Sequence, residues 1–401
     1  MQKRDLQESK AYVSPNRLAF VRFTKNKPAV IGSLFILLCI FIALFAYQIV
    51  PDSSPNANRQ VPEFNLAPIG YTSQVLKVRN NFSVPEKGFL SRFFMGQEDT
   101  HTLIPVEEYK MQGDSIHILK DKTLYKKYHL VDVVYPLSAQ ETTKPKPDQY
   151  ELNTLQGKSI SISKSELSAI IKNEYLTNKI FLLGTDQYGR DVFSRLIIGV
   201  RISLLAGLIA VIISVLLGTT LGMLAGFYGG KTDTIISFFI NTVWSIPTLL
   251  LVFAIVIALG KSITNIFLAV GLTMWVEVAR IVRGQVLTLQ KAPYIEAMKV
   301  MGTPMPRIML RHLLPNLMGP LLVIAAANFA TAILLEAGLS YLGFGIQPPT
   351  PSWGTMLNEH YGFAISGKPM LALIPALAIL LLVLSFNLVG NGLRDALDVK
   401  E

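Results

Sequence analysis

The chain has 401 residues, 51% of them apolar and only 16% charged, with a mean hydropathy of +0.41. Soluble domains carry about 25% charged residues, so these values exclude an ordinary water-soluble enzyme; a single cysteine also excludes a disulfide-stapled secreted fold. The net charge of +10 gathers in two patches, +5 over residues 1–28 and +4 over 283–312, while 51–196 balances 18 basic against 17 acidic residues. That distribution orients a polytopic membrane protein. No aromatics interleave with the Arg and Lys in the manner of a nucleic-acid surface.

Six apolar stretches, near 30–50, 202–228, 235–259, 263–282, 317–339 and 370–390, each supply the roughly 20 residues that cross a bilayer core. With the basic 1–28 segment cytoplasmic, the first span (29–50) leads out to a polar segment, 51–182, and the remaining five spans belong to a core over 183–401. Both chain ends and 283–312 then face the cytoplasm, and the Lys261 turn and 340–369 lie outside. Cys39 sits in the first span as a small apolar residue. That span is longer than a leader's apolar region and no small-x-small cleavage site follows it.

The 51–182 segment begins with the turn-rich Pro51–Asn56 and holds a linker over Thr142–Pro147. Alternation at Ser115–Ile118 and Ser159–Ser163 predicts strands, and Ser165–Lys172 a short helix. A small, β-rich extracytoplasmic insert is expected. His101, His117 and His129 lack metal-site spacing and are read as surface residues.

Gly218, Gly222 and Gly226 recur every four residues in span two, a face for close helix packing. Ala225–Thr232 fits a loose phosphate-loop pattern, but that loop needs a strand before it, and here a span precedes it. Pro247 kinks span three. Glu277 and Arg280, three apart in span four, neutralise one another or form a gate or subunit contact. Glu336, near the end of span five, lines a passage or caps the helix end and faces water. No charge ladder of a proton-coupled carrier is present.

The segment 283–316 carries a helix that starts at Pro293, has Glu296 in its first turn and ends at Gly302, before Pro304 and Pro306. Ile295, Met298 and Met301 share its apolar side. So short a helix is unstable alone in water and must dock or lie at the membrane surface.

Glu296-Ala297-Met298, then Gly302, then His312-x-Leu314-Pro315, resembles the E-A-A-x3-G-x9-I-x-L-P loop of ABC-importer permeases, with Met298 and His312 as departures. The run Leu183-Gly184-Thr185-Asp186-Gln187-Tyr188-Gly189-Arg190-Asp191 through Arg195-Leu196 and Arg201-Ile202-Ser203-Leu204 is similar to the block before span two of dipeptide/oligopeptide (Dpp/Opp-type) permeases of the C-subunit class. Glu336–Gly354 is similar to their outer loop, and Gly390–Asp398 to their tail, with Asn391 where Asp is usual.

The resemblance implies an all-α polytopic membrane protein of six transmembrane helices with the type I ABC importer permease fold, in a bacterial cytoplasmic membrane. It implies a subunit that moves di- or oligopeptides by alternating access and is not itself an enzyme: it binds no cofactor, and ATP and Mg²⁺ are bound by two partner ATPase subunits. The other partners are a homologous B-type permease subunit, an extracytoplasmic peptide-binding protein and membrane lipid. Tyr294, Glu296, Ala297, Gly302, Leu314 and Pro315 would couple to an ATPase, and Gly184, Asp186, Gly189, Arg190, Asp191 and Arg195 would form a structured element at the outer interface. Glu336 is the candidate pathway residue. Nickel or another small solute stays open as cargo. A membrane-anchored scaffold acting through its insert is the reading from another class.

Overall fold

The computed structural model describes residues 15–82, 84–85, 87–120, 123–136, 144–146, 149–153 and 159–397. The chain forms two compact units, Phe45–Ile198 and, separately, the residues up to Leu44 together with those from Gly199 onward. The first unit therefore begins ahead of the expected boundary at 51 and takes in the Gly-Arg-Asp block, which the sequence assigns to the core.

The apolar unit is helical. Lys27–Leu44, Val192–Tyr228, Ile263–Leu289, Met305–Tyr341 and Met370–Leu397 are long and apolar enough to cross a membrane. The third stretch is broken into Gly230–Trp244 and Thr248–Leu259, bent by 93°. Pro247 stands at the break in extended backbone, lacking the N–H that would carry the helix through. Among the described residues five stretches are thus long and apolar enough to cross, and six if the bent pair counts as one. The fifth begins at Met305 rather than near 317. A π turn over Met309–Leu313 closes with the Leu314 N–H on the Met309 carbonyl, one residue ahead of Pro315. The wider turn lets the helix continue where a proline would otherwise break it.

The three span-two glycines pack as their period predicts. A Cβ on Gly218 would lie 2.6 Å from the Trp275 carbonyl oxygen, one on Gly222 2.6 Å from that of Ala279, and one on Gly226 2.9 Å from that of Arg283. The two helices therefore meet backbone to backbone. The first span packs on the last in the same way: Gly392 accommodates Ala29, a Cβ on Gly32 would lie 2.8 Å from the Ser385 carbonyl oxygen, and Asn26 Nδ2 donates to Asp395 Oδ2 at 3.3 Å. The stretch after Met305–Tyr341, expected as loop, contains a further helix, Trp353–Ile365, started by a reciprocal Ser352–Thr355 capping box and burying Trp353, Met356 and His360.

The described residues of the Phe45–Ile198 unit hold nine strands: β1 (Tyr71–Arg79), β2 (His101–Val106), β3 (Glu108–Gln112), β4 (Ser115–Lys120), β5 (Thr123–His129), β6 (Lys144–Lys146), β7 (Gln149–Asn153), β8 (Ser159–Ser163) and β9 (Leu176–Phe181). They form three antiparallel sheets ordered β2-β1-β9, β3-β4-β5 and β6-β7-β8. Leu76, Ile104, Ile116, Ile118, Leu130, Tyr150, Ile162 and Leu167 share one core. Both expected strands are present, and the expected helix is Lys164–Ile170, capped by the Ser163 side chain and extended by a π turn. The linker at 142–147 is a correction. Its described part, Lys144–Lys146, is edge strand β6, where a proline is tolerated because its missing N–H can face away from the ladder; residues 142, 143 and 147 lie outside the described residues. The three histidines are half-buried, and His129 Nδ1 caps a short helix by accepting from Val131 N–H.

Candidate functional site

The segment after Ile263–Leu289 folds as its caps dictate. Pro293 occupies the first helical turn, and the helix runs Pro293–Val300. Gly302 adopts φ +71, with its N–H on the Lys299 carbonyl at 3.1 Å and the Thr303 N–H on that of Met298 at 3.0 Å. That paired closure is the left-handed ending that glycine makes cheapest. Ile295 is fully buried in a cluster with Phe227, Val282, Val286, Ile308 and Leu313, and Met298 packs against the same cluster. Lys299 Nζ lies 5.0 Å above the Phe227 ring, and Asn316 Nδ2 donates to Tyr294 Oη at 3.4 Å and to the His312 carbonyl at 2.6 Å. The helix is thus pinned to its own chain along one side.

Its other side is open. Glu296 and Ala297 are exposed, Val300 is 88% and Met301 73% exposed, and Tyr294 and Met305 also face outward. Met301 was expected on the docked side; because the chain turns at Gly302, it instead extends the exposed face. Leu314 is half-buried against the Ile295 cluster, and Pro315 is exposed within the fifth span helix. Tyr294 is tied to Asn316, the residue after Pro315, while Glu296 and Ala297 lie on the projecting helix and Gly302 just past its end.

A second tie was not read from the sequence. Arg283 grips Asp233 with Nε–Oδ1 at 2.5 Å and a second guanidinium nitrogen on Oδ2 at 2.6 Å, and Ser237 Oγ donates to Asp233 Oδ1 at 3.1 Å. The fork joins the turn after span two to the base of the segment carrying the Pro293 helix. The expected topology did put both on one side, which was the available signal. The phosphate-loop look-alike is a corner between two helices, with Gly229 and Gly230 at φ +64 and +51. The expected Glu277–Arg280 pair is not formed among the described residues: Arg280 stacks 3.5 Å from the Trp244 ring centroid, and Glu277 lines a small recess beside the broken helix with Thr273 and Thr331.

Within the Phe45–Ile198 unit, Asp186 Oδ1 accepts the Tyr188 and Arg190 N–H groups at 2.8 and 3.0 Å, and Oδ2 accepts from Arg190 Nε at 2.6 Å. Arg195, fully buried, brings Nε to 3.9 Å from Asp186 Oδ2. Asp191 caps the following helix by accepting from the Ser194 N–H at 3.2 Å and from its hydroxyl, and that hydroxyl accepts the Asp52 N–H at 3.1 Å. Burial raises the Asp191 carboxyl above the usual range, against the two Ser194 bonds. Gly184 and Gly189, at φ +74 and +71, press on the carbonyls of Ala67 and Val61. These six residues form one buried charged knot.

In the apolar unit Glu336 is buried rather than water-facing. Its Oε1 accepts from Ser340 Oγ at 2.8 Å, and that hydroxyl accepts the Ile346 N–H at 3.2 Å. Gly345 sits so close to Ser340 that no Cβ fits, and a Cβ on Gly354 would lie 2.6 Å from Ala337 Cα. The carboxylate therefore pins the Gly- and Pro-rich loop back onto its own helix.

Against known proteins, the profile for the binding-protein-dependent transport system inner membrane component matches residues 218–400, and that for the N-terminal TM domain of oligopeptide transport permease C matches 14–68. The chain is 42% identical over 217 residues to the oligopeptide transport system permease protein OppC of Bacillus subtilis, covering 54% of this chain and 71% of that one. It is 43% identical over the same length and shares to the dipeptide transport system permease protein DppC of Alkalihalophilus pseudofirmus. To the glutathione transport system permease protein GsiD of Pectobacterium atrosepticum it is 44% identical over 218 residues, 54% of this chain and 72% of the relative. Neither profile covers 69–217. With its spans, its projecting helix and these matches, the chain belongs to the family of binding-protein-dependent transport system inner membrane components.

Proposed function

We propose that this chain is the permease subunit of an ATP-driven importer of peptides, with both termini cytoplasmic, and that its Pro293–Val300 helix seats in a partner ATPase. ATP and Mg²⁺ belong to two such ATPases, a homologous permease completes the passage, and an extracytoplasmic binding protein delivers cargo. The observation that carries this reading is the two-sided helix: Ile295 fixes it in the chain's own core while Tyr294, Val300 and Met301 project. An eight-residue helix held this way moves with its core as one body, so force applied to the exposed face reaches the spans. Arg283–Asp233 extends that body to the turn after span two. The relatives named for oligopeptides, dipeptides and glutathione support a peptide as cargo. The alternation needs no charge in the spans, since packing closes the passage.

Co-purification of the ATPases with the membrane subunits, together with peptide uptake in vesicles, tests the assignment. Glu296→Lys and Val300→Asp are expected to leave the chain inserted and folded, to release the ATPases and to abolish uptake. Retention of ATPases and uptake by both variants would overturn it.

A further inference from the structure

The Phe45–Ile198 unit contains a cleft of about 1160 Å³ whose floor is one face of the β2-β1-β9 sheet. Lys77 and Arg79, two apart on β1, share that face, and Lys179 joins them because it pairs opposite Ser73, which has the same parity. With Arg59, Lys87 and Arg92 the cleft holds six cations against Glu98 and Asp99. Asp99 is taken by Arg59 through Nε at 2.5 Å and a second, shorter contact. Among the described residues no carboxylate lies within 4 Å of Lys77, Arg79, Arg92 or Lys179. Arg79 also stands directly opposite His101 across the ladder. Burial, then Arg79 and Lys77, holds His101 below the usual histidine range against Asp99, and burial and Arg59 lower Lys179 against the opposing pull of Asp52, Asp191 and Asp99.

The cleft is lined in part by residues that closely follow the first span in sequence. Pro51 and Ser53 line it, seven and nine residues beyond Leu44. The helix Phe89–Met95, which contributes Arg92, packs on this emerging segment: the Phe93 and Phe45 rings meet edge to face at 5.8 Å, Gln48 Nε2 donates to the Phe93 carbonyl at 3.3 Å, and Gly96 lies against Tyr47 and the Ser53 carbonyl. The helix leaves Phe89 78% and Leu90 70% exposed, with Phe94 and Met95 exposed beside them, and contains no carboxylate. An apolar face with basic neighbours, packed on the residues that directly follow Leu44 in the chain, matches the boundary between headgroups and acyl chains.

We propose that this unit binds an anionic phospholipid of the leaflet it faces: Phe89, Leu90, Phe94 and Met95 enter the headgroup boundary, and the cleft cations hold the headgroup phosphate. Charge complementarity favours a phosphate over a zwitterionic surface, and continuity with the span favours lipid over a soluble acidic partner.

The assembled importer in nanodiscs tests this in a Cys39→Ser background. A bimane label on Leu90→Cys or Phe94→Cys should be quenched at least threefold more by lipid carrying a 5-doxyl group than a label on Lys110→Cys, which lies on exposed β3. Phosphatidylglycerol recovered with the detergent-extracted complex should fall at least threefold in the triple variant Lys77→Gln, Arg79→Gln, Lys179→Gln, and 10 mM inorganic phosphate should not displace it. Quenching by iodide but not by doxyl lipid, or shielding from both as a protein partner would give, overturns the proposal. So does unchanged lipid in the triple variant, or its displacement by phosphate, which would mark a site for the free anion. These readouts concern lipid contact alone, so they fail independently of ATPase docking.

Discussion

Replacing Ile295 with alanine separates the two faces of the projecting helix. The side chain is fully buried, and truncation removes three carbons from the cluster with Phe227, Val282, Val286, Ile308 and Leu313. At about 0.8 kcal/mol per buried methylene, the transfer loss is about 2.4 kcal/mol, and the residual cavity raises the total to about 2.5–4 kcal/mol. Eight residues cannot hold a helix without that anchor, so the loss falls on local opening rather than on the spans. Since about 1.4 kcal/mol is tenfold, opening becomes about 60-fold to several hundred-fold more frequent. Hydrogen exchange reads this at the Met301 and Thr303 amides, which donate to the Ala297 and Met298 carbonyls. Ile295→Ala should accelerate both in the isolated subunit and reduce uptake in the complex. Val300→Ala, at an outward position, should leave both amides unchanged. Equal acceleration in the two variants, or none in Ile295→Ala, would refute the anchor-and-face division.

Further predictions follow from other contacts. A double-mutant cycle with Asp233→Asn and Arg283→Met should give a coupling of about 1 kcal/mol, because the fork is bidentate but partly exposed; thermal unfolding in detergent measures it, and independence of the two changes would remove the fork as a tie. Gly189→Ala forces a side chain into φ +71 and onto the Val61 carbonyl, whereas Gly229→Ala at φ +64 meets open space. The second, at ψ −159 in backbone nearly reserved for glycine, should cost about 1–3 kcal/mol and the first distinctly more, read as yields of folded protein and melting temperature. The hydroxyl of Tyr150, donating at 2.7 Å, and then Lys164 hold the Asp114 carboxyl below its ordinary value. A carboxylate lowered by folding adds stability above its unfolded value of about 4, and that stability is lost as pH falls through the folded value. Asp114→Asn should therefore reduce the loss of stability below about pH 4 without altering the trend at neutral pH; an unchanged acid limb would exclude the Tyr150–Asp114–Lys164 group as its source.

What the sequence made legible was set by local rules. Pro293 and Gly302 bound a helix because caps act within a turn of the residue that makes them. Gly218, Gly222 and Gly226 announced a packed face because helical period alone aligns them. Pro247 announced a break, but the 93° between the two halves is set by what each half packs against, which no proline encodes. The Arg283–Asp233 fork spans fifty positions, and β1 finds its partner β9 about a hundred residues later; side-chain type and spacing carry no signal over such distances. Trp353–Ile365 was hidden for a different reason: its flanks, rich in proline and glycine, read as loop, and only the Ser352–Thr355 pairing shows that those residues start a helix rather than avoid one.

The seam between the first and last spans closes the polypeptide upon itself. With Ala29 nested at Gly392 and Asn26 reaching Asp395, residues at opposite extremes of the covalent string are spatial neighbours. The two helices are therefore neighbours in space though far apart along the chain, and the order of threading is arbitrary to the packing that holds them. A splice joining the two helices of this seam, with fresh ends opened in a loop elsewhere, would preserve the interhelical contacts described above.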